Sequence, residues 1–97
     1  MKSIKIEKFG GPEVLKIQDI EVGKPGPKEV LIKNNSIGLN FIDIYHRTGL
    51  YPIPLPSGID LEACGEIEEV GSEVSLFKVG DRVTHASMPI GAYSEKQ

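Results

Sequence analysis

"EVLIKNNSIGLNFIDIYHRTG", residues 29–49, changes its period midway, and that change decides the fold. Through residues 29–39, Val30, Ile32 and Asn34 alternate with Leu31 and Lys33. This is the two-residue period of a strand. From residue 40 the period becomes helical. Asn40 is placed to be the N-cap, and Asp43, three residues on, suits the positive end of the helix dipole. Gly49 is a good terminator. A strong strand thus runs directly into a short capped helix over 40–48.

Working outward, "KSIKIEKF" (2–9) sets Ile4, Ile6 and Lys8 on one face against Lys5 and Glu7, a half-buried strand. "GGP" (10–12) is a turn, and "EVLKIQDIEV" (13–22) a second strand, so the two read as an antiparallel hairpin. "GKPGPKE" (23–29) is a tight loop. After the helix, the three prolines of "YPIPLPSG" (51–58) predict an extended loop outside helix and sheet ladder. "ACGEIEEVG" (63–71) is a strand, "FKVGDRVTHAS" (77–87) a turn and another, and "GAYSEKQ" (91–97) begins one more. There is no internal repeat or low-complexity tract. Short strands bounded by Gly or Pro predict a mainly β fold, a small barrel with one or two short helices.

Ninety-seven residues fit one domain with a usable core. The 11 basic and 14 acidic residues leave a net charge of −3, which gives no basis for nucleic acid binding. Cys64 is the single cysteine, so neither an internal disulfide nor a thiolate cluster is possible. A free buried thiol suits a reducing compartment, and the expected location is cytoplasmic. The N-terminus has no continuous apolar core, so neither a signal peptide nor a membrane anchor is expected.

Few residues carry chemistry. His46 and His85 lie far apart, and there is no His-x-x-x-His or Cys-x-x-Cys spacing for a metal. Both histidines read as ordinary surface or core residues. "GSEVS" (71–75) lacks the second glycine and the strand-turn-helix setting of a nucleophile elbow. No Gly-x-Gly-x-x-Gly follows a strand, so a nucleotide-binding fingerprint is absent. Two readings of the helix remain open. In one, Asp43 and Arg47 are an i,i+4 surface pair, Asn40 is simply a cap, and Tyr45 and Tyr51 pack. In the other, Asn40 and Tyr45 point into a cleft walled by Tyr51, where amide and phenol groups suit a neutral carbonyl or carboxamide ligand.

Five stretches follow one another in register: "FGGPEVL" (9–15), "IGLNFIDIYHRTGLYP" (37–52), "PSGIDLEACGEIEEVG" (56–71), "VGDRV" (79–83) and "GAYSE" (91–95). Together they resemble the N-terminal half of zeta-crystallin-type, NADPH-dependent quinone oxidoreductases of the medium-chain dehydrogenase/reductase superfamily. The resemblance covers essentially the whole chain. It implies a GroES-like, partly open β-barrel over residues 1–97, the N-terminal catalytic domain, without the Rossmann domain that holds NADPH. Zinc-dependent relatives carry a ligand cysteine and a Gly-His-Glu motif where this chain has Asn40, and Leu61 followed by Glu62. The resemblance is therefore to the zinc-free branch, with no metal site.

It further implies hydride transfer from NADPH to a quinone or an α,β-unsaturated carbonyl. By position, Asn40 and Asp43 would lie at the nicotinamide end, with Asn40 and Tyr45 in the catalytic role. Tyr45, Arg47 and Tyr51 would face substrate, Arg47 either giving charge at the cleft or pairing with Asp43. Family members continue into a Rossmann domain, so the expectation is a truncated piece, inactive alone and unable to bind NADPH. Self-association, or pairing with a separate Rossmann-domain polypeptide, would cover the open face. The alternative is a non-catalytic interaction module on the same barrel. A co-chaperone role is disfavoured because "GKPGPKE" is too short for the mobile loop such a role needs.

Overall fold

The computed structural model describes all 97 residues, Met1–Gln97. The strands are β1 (Lys2–Ile6), β2 (Lys16–Asp19), β3 (Val30–Ile37), β4 (Ser57–Gly58), β5 (Glu62–Val70) and β6 (Arg82–Ala86), with one helix, α1 (Phe41–Thr48), after β3. A single 3₁₀ turn occupies Pro12–Val14. The strands form two three-stranded sheets, β2-β1-β4 and β3-β5-β6, that do not close into a barrel. The fold is the expected mainly β architecture, partly open. No helix is long and apolar enough to cross a membrane.

The hairpin forms as expected: β1 and β2 are antiparallel, with Ile4 opposite Ile17. The second strand is shorter than residues 13–22 because its start is taken by the 3₁₀ turn, where Pro12 presets φ and buries Val14. Ile6, Val14 and Ile59 form the buried apolar centre, with Leu15, Ile53, Leu55 and Tyr93 packed around it. Full burial of such a side chain contributes about 1.5–3 kcal/mol.

Three details differ from the sequence expectation. First, the proline-rich segment is not wholly outside the sheets. Ser57 pairs with Ile6 and Gly58 with Lys5, directly after the last proline, Pro56, where N–H donors are again available. Second, strict alternation fails in β3. Leu31 and Ile32 are both buried, because the pairing with β5 shifts register between them.

Third, residues 91–97 do not make a regular strand. They form isolated bridges, Ser3 with Ser94 and Lys33 with Lys96. Ile4 N–H donates to Tyr93 O (2.8 Å) and Glu95 N–H to Lys2 O (3.0 Å), while Asn34 N–H donates to Glu95 O (2.9 Å) and Ile32 and Gln97 exchange bonds of 2.8 and 2.9 Å. The tail changes partner from β1 to β3 partway along, so it joins the two sheets.

α1 begins and ends where cap chemistry places it. Asn40 is extended (φ −132°, ψ 154°), and Gly49 is left-handed (φ 87°, ψ 8°). A Cβ at Gly49 would also press on the Phe9 ring at 2.9 Å. Cys64 is half-buried and free.

Candidate functional site

The junction of β3 and α1 presents Asn40 at the mouth of a cleft of about 360 Å³. Leu15, Leu39, Asn40, Phe41, Asp43, Ile44, Arg47, Ile59 and Tyr93 line it. A larger opening of about 540 Å³, lined by residues of both sheets and the 87–97 tail, contains none of the candidate residues. The smaller cleft is the better candidate because its apolar walls converge on a few polar groups.

Asn40 Nδ2 donates to Glu62 Oε2 at 2.6 Å, so the amide is held by the first residue of β5. Asp43 closes the helix start from the other side: its Oδ2 accepts from the main-chain N–H of Asn40 at 3.0 Å. The same oxygen accepts from the Tyr93 hydroxyl at 2.8 Å. Asp43 is buried, and it has no ion-pair partner. The i,i+4 surface pair with Arg47 is therefore not formed. Arg47 Nε instead donates to Gly10 O at 3.2 Å, and Gly10 N–H returns a bond to Arg47 O at 3.0 Å. This ties the end of α1 to the turn after β1.

Tyr45 and Tyr51 stand together, ring centroids 5.4 Å apart in an edge-to-face arrangement. They lie outside the lining of the 360 Å³ cleft. The structure thus brings Asn40, Asp43 and Arg47 to one cavity and sets the tyrosine pair apart from it. His46 is buried, its ring 6.5 Å from that of Tyr51, and its Nδ1 has no hydrogen-bond partner. No group of three or more His, Cys, Asp or Glu residues suited to a metal ion is present.

Two polar residues were not singled out by sequence reading: Tyr93, which lines the cleft, and Asp60, next to the lining residue Ile59. Tyr93 read only as part of a strand, and Asp60 as part of a motif. Asp60 is fully buried and adopts φ +84°. Its Oδ1 accepts from the N–H groups of Leu61 (2.8 Å) and Glu62 (3.1 Å). Burial pushes its carboxyl up to about 6, partly opposed by those two N–H groups and reinforced by Asp43. The Tyr93 hydroxyl is also driven well above the usual phenol range, first by burial and then by its bond to the Asp43 carboxylate. The one available signal was a charged residue inside the apolar run "GIDL".

Asn40→Ala removes both the cap residue and the link to Glu62. It is expected to lower stability by about 0.5–2 kcal/mol. An unchanged midpoint in chemical denaturation would show that neither contact matters.

A family model described as the alcohol dehydrogenase GroES-like domain matches residues 26–96. The quinone oxidoreductase of Pseudomonas aeruginosa is 59% identical over 95 residues, covering 97% of this chain and 29% of that protein. The crystal structure of Escherichia coli quinone oxidoreductase complexed with NADPH is similar at a TM-score of 0.98 and 46% identity, covering 100% of this chain and 30% of that one. The quinone oxidoreductase structure from Pseudomonas syringae pv. tomato gives 0.96 and 55%, covering 99% and 30%. The chain therefore spans less than a third of the length of the relatives it matches.

Proposed function

The chain belongs to the alcohol dehydrogenase GroES-like domain family, and from that premise we propose that it is the N-terminal catalytic domain of an NADPH-dependent quinone oxidoreductase. The substrate is a quinone or an α,β-unsaturated carbonyl. The observation that carries this reading is the cleft that Asn40, Asp43 and Arg47 line together, with the Asn40 amide held from outside it by Glu62. Neither the amide of Asn40 nor the side chain of Leu61 offers the thiolate or imidazole that zinc prefers. An amide and a carboxylate at an apolar cleft suit a carboxamide such as nicotinamide.

In this reading Asn40 and Asp43 hold the nicotinamide end, Asn40 acting directly and Asp43 by fixing the Asn40 main chain. NADPH, when bound, supplies the hydride. Arg47 adds positive charge at the cleft. Tyr45 and Tyr51, packed on each other outside it, meet the substrate only from beyond the cleft, in the completed site. The rest of a full-length polypeptide covers the apolar rim, where Leu39 and Phe41 are 84% and 76% exposed. That covering excludes water and strengthens the polar contacts inside.

The test is a polypeptide of the relatives' full length that begins with these residues. It is expected to oxidise NADPH in the presence of 1,4-benzoquinone, to be insensitive to chelators, and to carry no stoichiometric zinc. No quinone-dependent oxidation, or about one tightly held zinc per chain, would overturn the proposal.

A further inference from the structure

Asp43 and Asp60 are buried carboxyls at 4% and 0% exposure, and each has one oxygen, Oδ1 and Oδ2 respectively, with no hydrogen-bond partner. Neither has an ion-pair partner. The titratable groups that act on Asp60 are Asp43 of α1 and Glu62 of β5, and Tyr93 of the tail senses both aspartates. These are all acids; the one cation lining the same cleft, Arg47, makes no ion pair with Asp43 and gives its Nε to Gly10 O. Asp43 Oδ2 receives two hydrogen bonds, from Asn40 N–H and the Tyr93 hydroxyl. Asp60 uses Oδ1 for the Leu61 and Glu62 N–H groups, and its Oδ2 is left dry. A proton carried by Asp60 sits on Oδ2, the oxygen that no donor reaches.

Asp60 also stands where two segments meet. Its main-chain oxygen accepts from the N–H groups of Gly91 (2.8 Å) and Ala92 (3.0 Å). Through residues 91–93 it supports Tyr93, which holds Asp43. Through Glu62 it supports the partner of Asn40. An aspartate at φ +84° is strained backbone, retained only because these contacts fix it.

We propose that Asp60 is a proton-operated latch: a proton on its Oδ2 holds the junction of residues 59–62 with 91–93 closed, and losing that proton loosens the junction and with it the Asn40–Glu62 contact beside the cleft. The latch is a property of the folded chain and does not depend on what the site reduces. The sign follows from linkage. A carboxyl held near 6 in the folded chain and near 3.8 when unfolded gives stability that is complete at low pH and is lost as pH rises through about 6.

Aspartate-carboxyl ¹³C NMR of the full chain, titrated from about pH 4 to about pH 7.5, tests this. One carboxyl is expected to titrate near pH 6 in the wild type and to be missing in Asp60→Asn, with the Asn40 and Tyr93 amide signals moving over the same range. In urea, the unfolding constant of the wild type should rise about a hundredfold more over this range than that of Asp60→Asn. If Asp60→Asn does not fold, Asp60→Gly, which accepts φ +84° freely, serves instead. The latch is excluded if no carboxyl titrates above about pH 5, if the signal survives in the Asp60 variants and vanishes in Asp43→Asn, or if wild type and variant share one pH dependence.

Discussion

Titrated with NADPH, the isolated 97-residue chain is expected to show no binding at micromolar concentrations and no quinone-dependent oxidation of the nucleotide. In proteins that bind dinucleotides, the glycine-rich turn and helix N-terminus that hold the pyrophosphate carry much of the affinity. These residues contain no such turn. What remains is a few hydrogen bonds at the nicotinamide end, worth about 0.5–1.5 kcal/mol each. Immobilising a ligand costs about 4–15 kcal/mol. One N–H of the Asn40 amide is moreover already engaged with Glu62 at 2.6 Å, leaving a ligand only its second N–H and its oxygen. Calorimetry and the NADPH absorbance assay check this, and adding the remaining polypeptide in trans is expected to restore some turnover. Micromolar binding by the chain alone would place the nucleotide site elsewhere.

Gly65→Ala is expected to be the most damaging single methyl addition to the larger sheet. Gly65 lies opposite Asn34 on β3, beside the register shift between Asn34 and Ser36. A Cβ there would overlap the carbonyl oxygen of Lys33 and approach its carbonyl carbon at 2.8 Å and the Asn34 Cα at 3.0 Å. These are backbone atoms of the paired strand, so no side-chain rotation relieves the clash. Relief requires the strands to separate, at a cost of about 3 kcal/mol or more. In a domain of this size that lowers the melting temperature by about 10–20 °C. Thermal unfolding followed by circular dichroism reads it directly. A change of less than about 1 kcal/mol would mean that β3 and β5 are not in this close register.

The helix shows how far local reading reaches. Asn40 and Gly49 bound α1 as their chemistry requires, because capping acts within one turn of chain. The role of Arg47 was out of reach by the same logic. Its spacing from Asp43 suggested a pair, yet each group is used by a distant partner: Gly10 for Arg47, Tyr93 for Asp43. Of the candidate site residues, Asn40, Asp43 and Arg47 share a cleft, while Tyr45 and Tyr51 form a separate pair.

The sequence by itself determined the hairpin, the strand-to-helix switch at residue 40, both ends of the helix and the family. The first three rest on periodicity or cap chemistry visible within a short window of chain, and the family rests on the order of motifs along its whole length. Only the tertiary structure decided that residues 91–97 bridge two sheets, that Leu31 and Ile32 are both buried, and that Asp60 is a dry carboxyl. Those features depend on which backbone groups arrive from far along the chain, as Tyr93 arrives at Asp43 across 50 residues. A local pattern fixes dihedral preferences and which face is apolar. It cannot specify which distant group will satisfy a buried donor or leave an acceptor without one.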